Sequence, residues 1–224
     1  MRRPPVSRRS AHDRPTPEER SAKPDPLRLV RNGYDRIARD YAAWREQDPS
    51  LFQAELEDLL RRLPTDAAVL DAGCGAGVPF TRWLSERAHV TGIDLSAKQI
   101  ALARRRVPRA TFHRQDMTDL DVPPQSFDAI TCLYALIHVP RDRHARVLAG
   151  FRRALRPGGF LLLITGNEDL PEDIDDFFDA EMYWSHFDRI ASLRMLRDAG
   201  FEIVWEKVVS DRPSGSHLLV LARR

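Results

Sequence analysis

The sequence predicts a single α/β domain built on a doubly wound, mostly parallel sheet, and three observations carry that prediction. Short apolar runs alternate with helical patterns from Ala67 onward. The first run ends in an acid and breaks into alternating glycines, Val69-Leu70-Asp71-Ala72-Gly73-Cys74-Gly75-Ala76-Gly77. Two further runs, ending near Asp94 and Asp116, also deliver an acid at the strand end, which is where open α/β sheets bind ligands.

Residues 1–26 are rich in Arg and Pro and lack the apolar centre of a secretory signal, so they read as a disordered tail before a domain spanning 27–224. Leu29–Trp44 and Ser50–Leu63 carry apolar residues at helical spacing, punctuated by Pro49 and Pro64, and predict two helices preceding the sheet. Ala68–Asp71, Val90–Ile93, Ala110–His113, Ala129–Leu133 and Phe160–Thr165 read as five strands. Thr81–Arg87, Ala97–Arg106 and Arg143–Leu155 read as the crossover helices, the last closed by Pro157-Gly158-Gly159. A final helix over Ile190–Ala199 stops at Gly200, and Glu202–Val209 with His217–Ala222 form a terminal antiparallel pair joined through Pro213-Ser214-Gly215.

Composition narrows the function classes. With 42% hydrophobic and 30% charged residues the chain is an ordinary soluble one, and no stretch reaches the roughly 18 apolar residues of a membrane span. The cytoplasm is the expected compartment. The formal charge is only +2, and six arginines with Lys23 concentrate in the tail, so the folded part is near neutral. Cys74 and Cys132 lack redox or zinc spacing and read as reduced thiols, and no metal ligands are assigned.

Gly73, Gly75 and Gly77 let the chain turn sharply after the first strand and let a ligand reach main-chain N–H groups at the start of a helix. Val78 stands where a dinucleotide fingerprint needs its third glycine, and the Gly-Lys-Ser/Thr of a P-loop is missing, so a pyrophosphate ligand loses ground. Asp94 follows Gly73 by 21 residues, a spacing at which a strand-end carboxylate accepts hydrogen bonds from ribose hydroxyls. Asp116 adds a third strand-end acid, and Met117 beside it offers a polarizable contact for a purine ring.

With these residues in place the chain resembles the bacterial, small-molecule type of class I S-adenosylmethionine-dependent methyltransferases, from about Tyr34 to the C-terminus. The matching pieces are Val69–Gly77, Gly92-Ile-Asp-Leu-Ser96, Gln115-Asp-Met117, Ser126-Phe-Asp-Ala-Ile130 and Leu155-Arg-Pro-Gly-Gly159. The resemblance implies a Rossmann-like seven-stranded sheet with an antiparallel last strand, and S-adenosylmethionine as cofactor. It implies that Asp71, Gly73, Gly75 and Gly77 hold the methionine moiety, Asp94 with Leu95 the ribose, and Asp116 with Met117 the adenine. Leu133 and Tyr134 would then sit near the sulfonium. Tyr34-Asp35-Arg36-Ile37-Ala38-Arg39-Asp40-Tyr41 resembles the N-terminal lid of such enzymes, with Tyr41 over the cofactor and Tyr34 toward the acceptor.

His138, just beyond the fourth strand, is the candidate general base, although in-line positioning alone can supply much of the needed acceleration. The long connection 166–187 is a candidate substrate lid, with eight acids, no Lys or Arg, and then Tyr183, Trp184 and His186 as candidate acceptor contacts. Such a rim suits a neutral or cationic organic acceptor and repels a nucleic-acid backbone. The expected activity is methyl transfer to oxygen, nitrogen or carbon of a small molecule of bacterial secondary metabolism, by a monomer or homodimer. Two alternatives stay open: an RNA or protein methyltransferase docking through the basic tail, and a cofactor-binding module without catalysis.

Overall fold

The computed structural model describes residues 25–48, 52–211 and 215–224. The expected tail therefore lies almost wholly outside the described residues, as do the start of the second predicted helix and the Pro213-Ser214 turn. Two helices, α1 (Pro26–Arg45) and α2 (Gln53–Arg61), precede the sheet. Asp25 caps α1 by accepting the Leu27 N–H, and Pro26 occupies the first helical position, where no N–H is needed.

The sheet has seven strands in the order β3-β2-β1-β4-β5-β9-β8, with β1 (Ala68–Ala72), β2 (His89–Asp94), β3 (Thr111–Arg114), β4 (Phe127–Cys132), β5 (Leu155–Gly166), β8 (Glu202–Asp211) and β9 (Gly215–Arg223). The first five are parallel, while β9 runs antiparallel to both β5 and β8. Helices α3 (Phe80–Leu84), α4 (Ala97–Arg106), α5 (His144–Ala154) and α6 (Arg189–Asp198) connect them. Strand β5 begins earlier than its apolar run suggests: α5 stops at Ala154, and the Pro157-Gly158-Gly159 segment already belongs to the strand.

Alternation along the central strands explains why both faces must be covered. Leu161, Leu163, Leu218 and Val220 pack against α5 and α6 through Leu148, Phe151 and Leu196. Leu162, Ile164, Leu219 and Leu221 face the other way, onto Phe52, Leu56, Leu59 and Leu84. Two-sided burial of this kind is what a parallel sheet requires. Both cysteines are buried and free, and burial pushes the Cys132 thiol up to about 12. Among the described residues no helix is long and apolar enough to cross a membrane.

Strand order reverses between β1 and β4, since β2 and β3 continue on one side and β5 on the other. That reversal opens a crevice beyond the strand ends. The 166–187 connection arches over it as a hairpin of its own, β6 (Leu170–Phe177) paired with β7 (Ala180–His186). Its tight turn holds Phe178 and Asp179 at φ of 55° and 61°. Helix α1 lies against β7 through Val30, Ile37, Met182 and Tyr183, so helix and hairpin together roof the crevice.

Candidate functional site

Below that roof the three glycines after β1 all take positive φ, but for different ends. A Cβ at Gly73 would stand 2.1 Å from that of Ala135, and one at Gly77 would meet Val107 Cγ2 at 3.0 Å, so both make room for packing. At Gly75 the nearest atom is Gln99 Oε1 at 4.0 Å, which leaves the backbone open to the crevice. The Gly75 N–H donates to Asp94 Oδ2 at 2.9 Å, and the Ser96 N–H to Asp94 Oδ1 at 2.8 Å. Burial raises the Asp94 pKa to about 6 against the pull of these two donors.

The smaller of two adjoining cavities, about 80 Å³, is lined by Gly73, Gly75, Asp94, Leu95, Asp116, Met117, Leu133 and Tyr134, with Tyr34, Tyr41 and His138 closing it from above. Asp116 Oδ1 accepts the Thr118 N–H at 2.8 Å and so shapes the turn that presents Met117. Two residues expected in this set stand elsewhere. Gly77 packs against α4 and β3, as described. Asp71 is 3% exposed and outside the cavity lining, because its carboxylate is consumed by Thr81 Oγ1 at 2.5 Å and Thr131 Oγ1 at 2.9 Å. It braces the floor from beneath. Burial raises its pKa, and the two hydroxyls oppose that rise.

Tyr134, at the mouth of β4, has φ of 59°, a conformation that costs a non-glycine residue about 1–2 kcal/mol. It is held there by His217 of β9, 5.1 Å away ring to ring, and by the Arg45 guanidinium 5.0 Å from its ring.

The second cavity, about 250 Å³, shares Tyr34, Tyr41, Tyr134 and His138 with the first and extends under the hairpin. Its rings form a continuous wall: Tyr41 lies 5.7 Å from Trp44 and 5.9 Å from Phe177, and Phe177 6.0 Å from Trp184. Asp173, Asp175 and Asp176 of β6 and Arg45 of α1 supply its charge.

His138 joins roof to floor. Its Nδ1 lies 2.8 Å from the Tyr183 carbonyl oxygen and its Nε2 2.8 Å from the Tyr34 hydroxyl. A carbonyl only accepts, so Nδ1 carries the proton, and burial, which lowers the pKa to about 4, leaves Nε2 bare to accept the Tyr34 O–H. Burial likewise pushes the Tyr34 phenol well above its usual range.

The predicted contacts of the 166–187 segment divide. Trp184 and His186 line the second cavity, the latter with Nδ1 bonded to the Glu168 carbonyl. Tyr183 lines neither cavity, since the pleat of β7 turns its ring into the packing with α1, and only its carbonyl serves the site. The sequence reading missed Arg45, His217 and the alignment of Asp173 and Asp175. The period-two spacing of those acids was the available signal, but it becomes informative only once the segment is known to be a strand. Among the described residues no group of three or more His, Cys, Asp or Glu could hold a metal ion.

A family model described as a methyltransferase domain matches residues 69–159. The chain is 36% identical over 122 residues to the dTDP-4-amino-2,3,4,6-tetradeoxy-D-glucose N,N-dimethyltransferase of Saccharopolyspora spinosa, covering 53% of this chain and 49% of that protein. It is 31% identical over 172 residues to the ubiquinone biosynthesis O-methyltransferase of Xylella fastidiosa, covering 72% and 65% respectively. The chain thus spans about half the length of the first relative. Among solved structures, the Burkholderia thailandensis 1,6-didemethyltoxoflavin-N1-methyltransferase, with 1,6-didemethyltoxoflavin and S-adenosylhomocysteine bound, superposes with a TM-score of 0.68 at 25% identity, over 91% of this chain and 92% of that one.

Proposed function

We propose that the chain is a class I S-adenosylmethionine-dependent methyltransferase and that it methylates a small organic acceptor held beneath α1 and the β6–β7 hairpin. The observation that carries this reading is the pair of adjoining cavities sharing Tyr34, Tyr41, Tyr134 and His138. One has the polar anchors for an adenosine-bearing cofactor, and the other has the aromatic walls for an organic acceptor.

The residues present fit S-adenosylmethionine. Gly75 leaves a space that a Cβ would enter, Asp94 offers a carboxylate where a ribose can donate, and Met117 with Leu95 gives apolar contact for the base. When bound, the cofactor supplies an activated methyl group on a cationic sulfur. The chain's own task is then to orient the acceptor and exclude water. His138 takes a positioning role in this reading: its basic nitrogen is engaged by Tyr34, so the pair sets the ceiling at the junction of the cavities. Helix α1 and the hairpin act together as the lid.

A small molecule suits the site better than nucleic acid, because the 166–187 segment carries eight acids and no Lys or Arg. Calorimetric titration with S-adenosylmethionine, followed by product assays on candidate acceptors, tests the reading. Uptake with turnover supports it. Uptake without turnover of any acceptor favours a binding module, and uptake of NAD in place of S-adenosylmethionine overturns it.

A further inference from the structure

We infer that the acceptor's nucleophile is an amine nitrogen, received in the second cavity between the aromatic wall and the aspartates of β6. The inference rests on the methyltransferase reading and narrows it. The site is defined by the cavity itself, which opens onto the cofactor cleft, and three features of its lining select the chemistry.

The first is that the one imidazole shared by both cavities, His138, is not free to act as a base. An alcohol must lose its proton to become a good nucleophile, and His138 is the titratable group best placed to take it. Its Nδ1–H is committed to the Tyr183 carbonyl and its Nε2 to the Tyr34 hydroxyl, so its one lone pair is already engaged within the protein. Burial lowers its basicity further. An amine free base attacks through its own lone pair and needs no proton removed in the bond-forming step.

The second feature is charge. Asp173, Asp175 and Asp176 line the cavity against one guanidinium, that of Arg45, which is stacked over Tyr134 and Phe80 at 5.0 Å from each ring. Burial lowers the pKa of His138 and of His186, the latter against the pull of the Glu168 carbonyl and nearby acids, and so adds no cation at neutral pH. This balance disfavours an incoming phenolate or carboxylate and favours a cation. The third feature is the wall of Tyr41, Trp44, Phe177 and Trp184, whose ring faces attract an ammonium group.

The transfer balances without an added reagent. The amine enters as an ammonium and first loses one proton to solvent past the exposed Asp173; its nitrogen lone pair then forms the bond to the methyl carbon, the carbon–sulfur bond breaks with its electrons retained by sulfur, and the positive charge passes from sulfur to nitrogen. The resulting ammonium faces the aspartates, and its N–H proton leaves to solvent through the open side of the hairpin, where Asp173 is exposed.

Paired titrations test this on the protein saturated with S-adenosylhomocysteine, using 2-phenylethylamine and 2-phenylethanol, which share ring and chain length. The amine is expected to bind at least ten-fold more tightly. The double variant Asp173→Asn/Asp175→Asn is expected to erase that preference, weakening the amine at least ten-fold more than the alcohol. An amine that binds no better than the alcohol, or not at all, overturns the inference, as does a preference that survives the double variant. Uptake of S-adenosylhomocysteine is measured first: its failure brings down the methyltransferase reading and this inference with it, whereas uptake without amine preference brings down the inference alone.

Discussion

On the floor of the crevice, Gly75, Asp94 and Asp116 each reach the cavity within a few residues of a strand end, and neighbouring backbone N–H groups fix the two carboxylates. In the roof, by contrast, Tyr34, His138 and Tyr183 come from three segments, the first two 104 positions apart in the chain and the last two 45. The floor is a local construction that the strand-to-helix turns impose. The roof exists only after α1 and the hairpin have docked on one another. A floor of this kind can stay constant while the roof changes, which suits a fold that keeps one cofactor and varies its acceptors.

If that division is real, damage to the floor should destroy cofactor binding and damage to the roof should spare it. The largest effect is expected at Gly75→Val, which puts a β-branched side chain at positive φ into the open cradle. Affinity for S-adenosylmethionine should fall by more than about 100-fold, roughly 3 kcal/mol, with the circular-dichroism spectrum retained. Unchanged affinity would remove Gly75 from the cofactor site.

Asp94→Ala should cost about 1.5–3 kcal/mol of cofactor affinity, the value of a charge-assisted hydrogen bond. Calorimetry would measure it, and a loss below about 0.5 kcal/mol would break the ribose assignment. In the roof, His138→Ala strands the Tyr183 carbonyl and the Tyr34 hydroxyl, so thermal unfolding should register a loss of about 1–3 kcal/mol. Cofactor affinity should stay within a few-fold of the parent, and turnover should fall by about ten-fold or less if His138 only positions. A fall of several hundred-fold would restore it as the base.

The smallest effect separates the regions by pH. Asp94, with its pKa raised to about 6, is protonated as pH drops through that value, and cofactor affinity should decline there because a neutral carboxyl accepts ribose hydrogen bonds poorly. His138 works through stability instead. Its pKa is about 4 in the fold and 6.5 in the unfolded chain, so the unfolded state binds more protons between these values. Its share of stability is intact above pH 6.5 and is lost as pH falls toward 4. Superimposable pH profiles for affinity and unfolding would contradict the separation.

The same contrast decides what the sequence made legible. Strands β1 to β5, and the acids Asp94 and Asp116 that line the first cavity, were readable because hydrophobic alternation and glycine spacing are local signals. Asp71 misled because an acid at a strand end reads alike whether it meets a ligand or, as here, two threonine hydroxyls 10 and 60 residues away. The hairpin could not be read as one. Tight turns of this kind usually carry Asn-Gly, whereas this one carries Phe178-Asp179, held at positive φ while the Phe178 ring packs on Tyr41 and Trp44. Arg45 escaped notice because at the end of a helix it looks like an ordinary favourable charge at the C-terminus. Only the fold turns it inward, to 8% exposure among three aromatic rings.

Gly33 touches no ligand cavity, yet it sets how low the roof can sit. A Cβ there would lie 2.9 Å from both the Glu181 carbonyl oxygen and Met182 Cε, so even a methyl group would pry α1 off β7. Tyr34 is the next residue along and would be drawn off His138 with it, while the bond from His138 to Tyr183 stayed with the hairpin. The headroom above the reacting atoms is therefore dictated from outside the pocket, by an absent side chain on the helix's far seam. On the proposed function, acceptor range can be tuned at a position that lines neither the cofactor cavity nor the acceptor cavity.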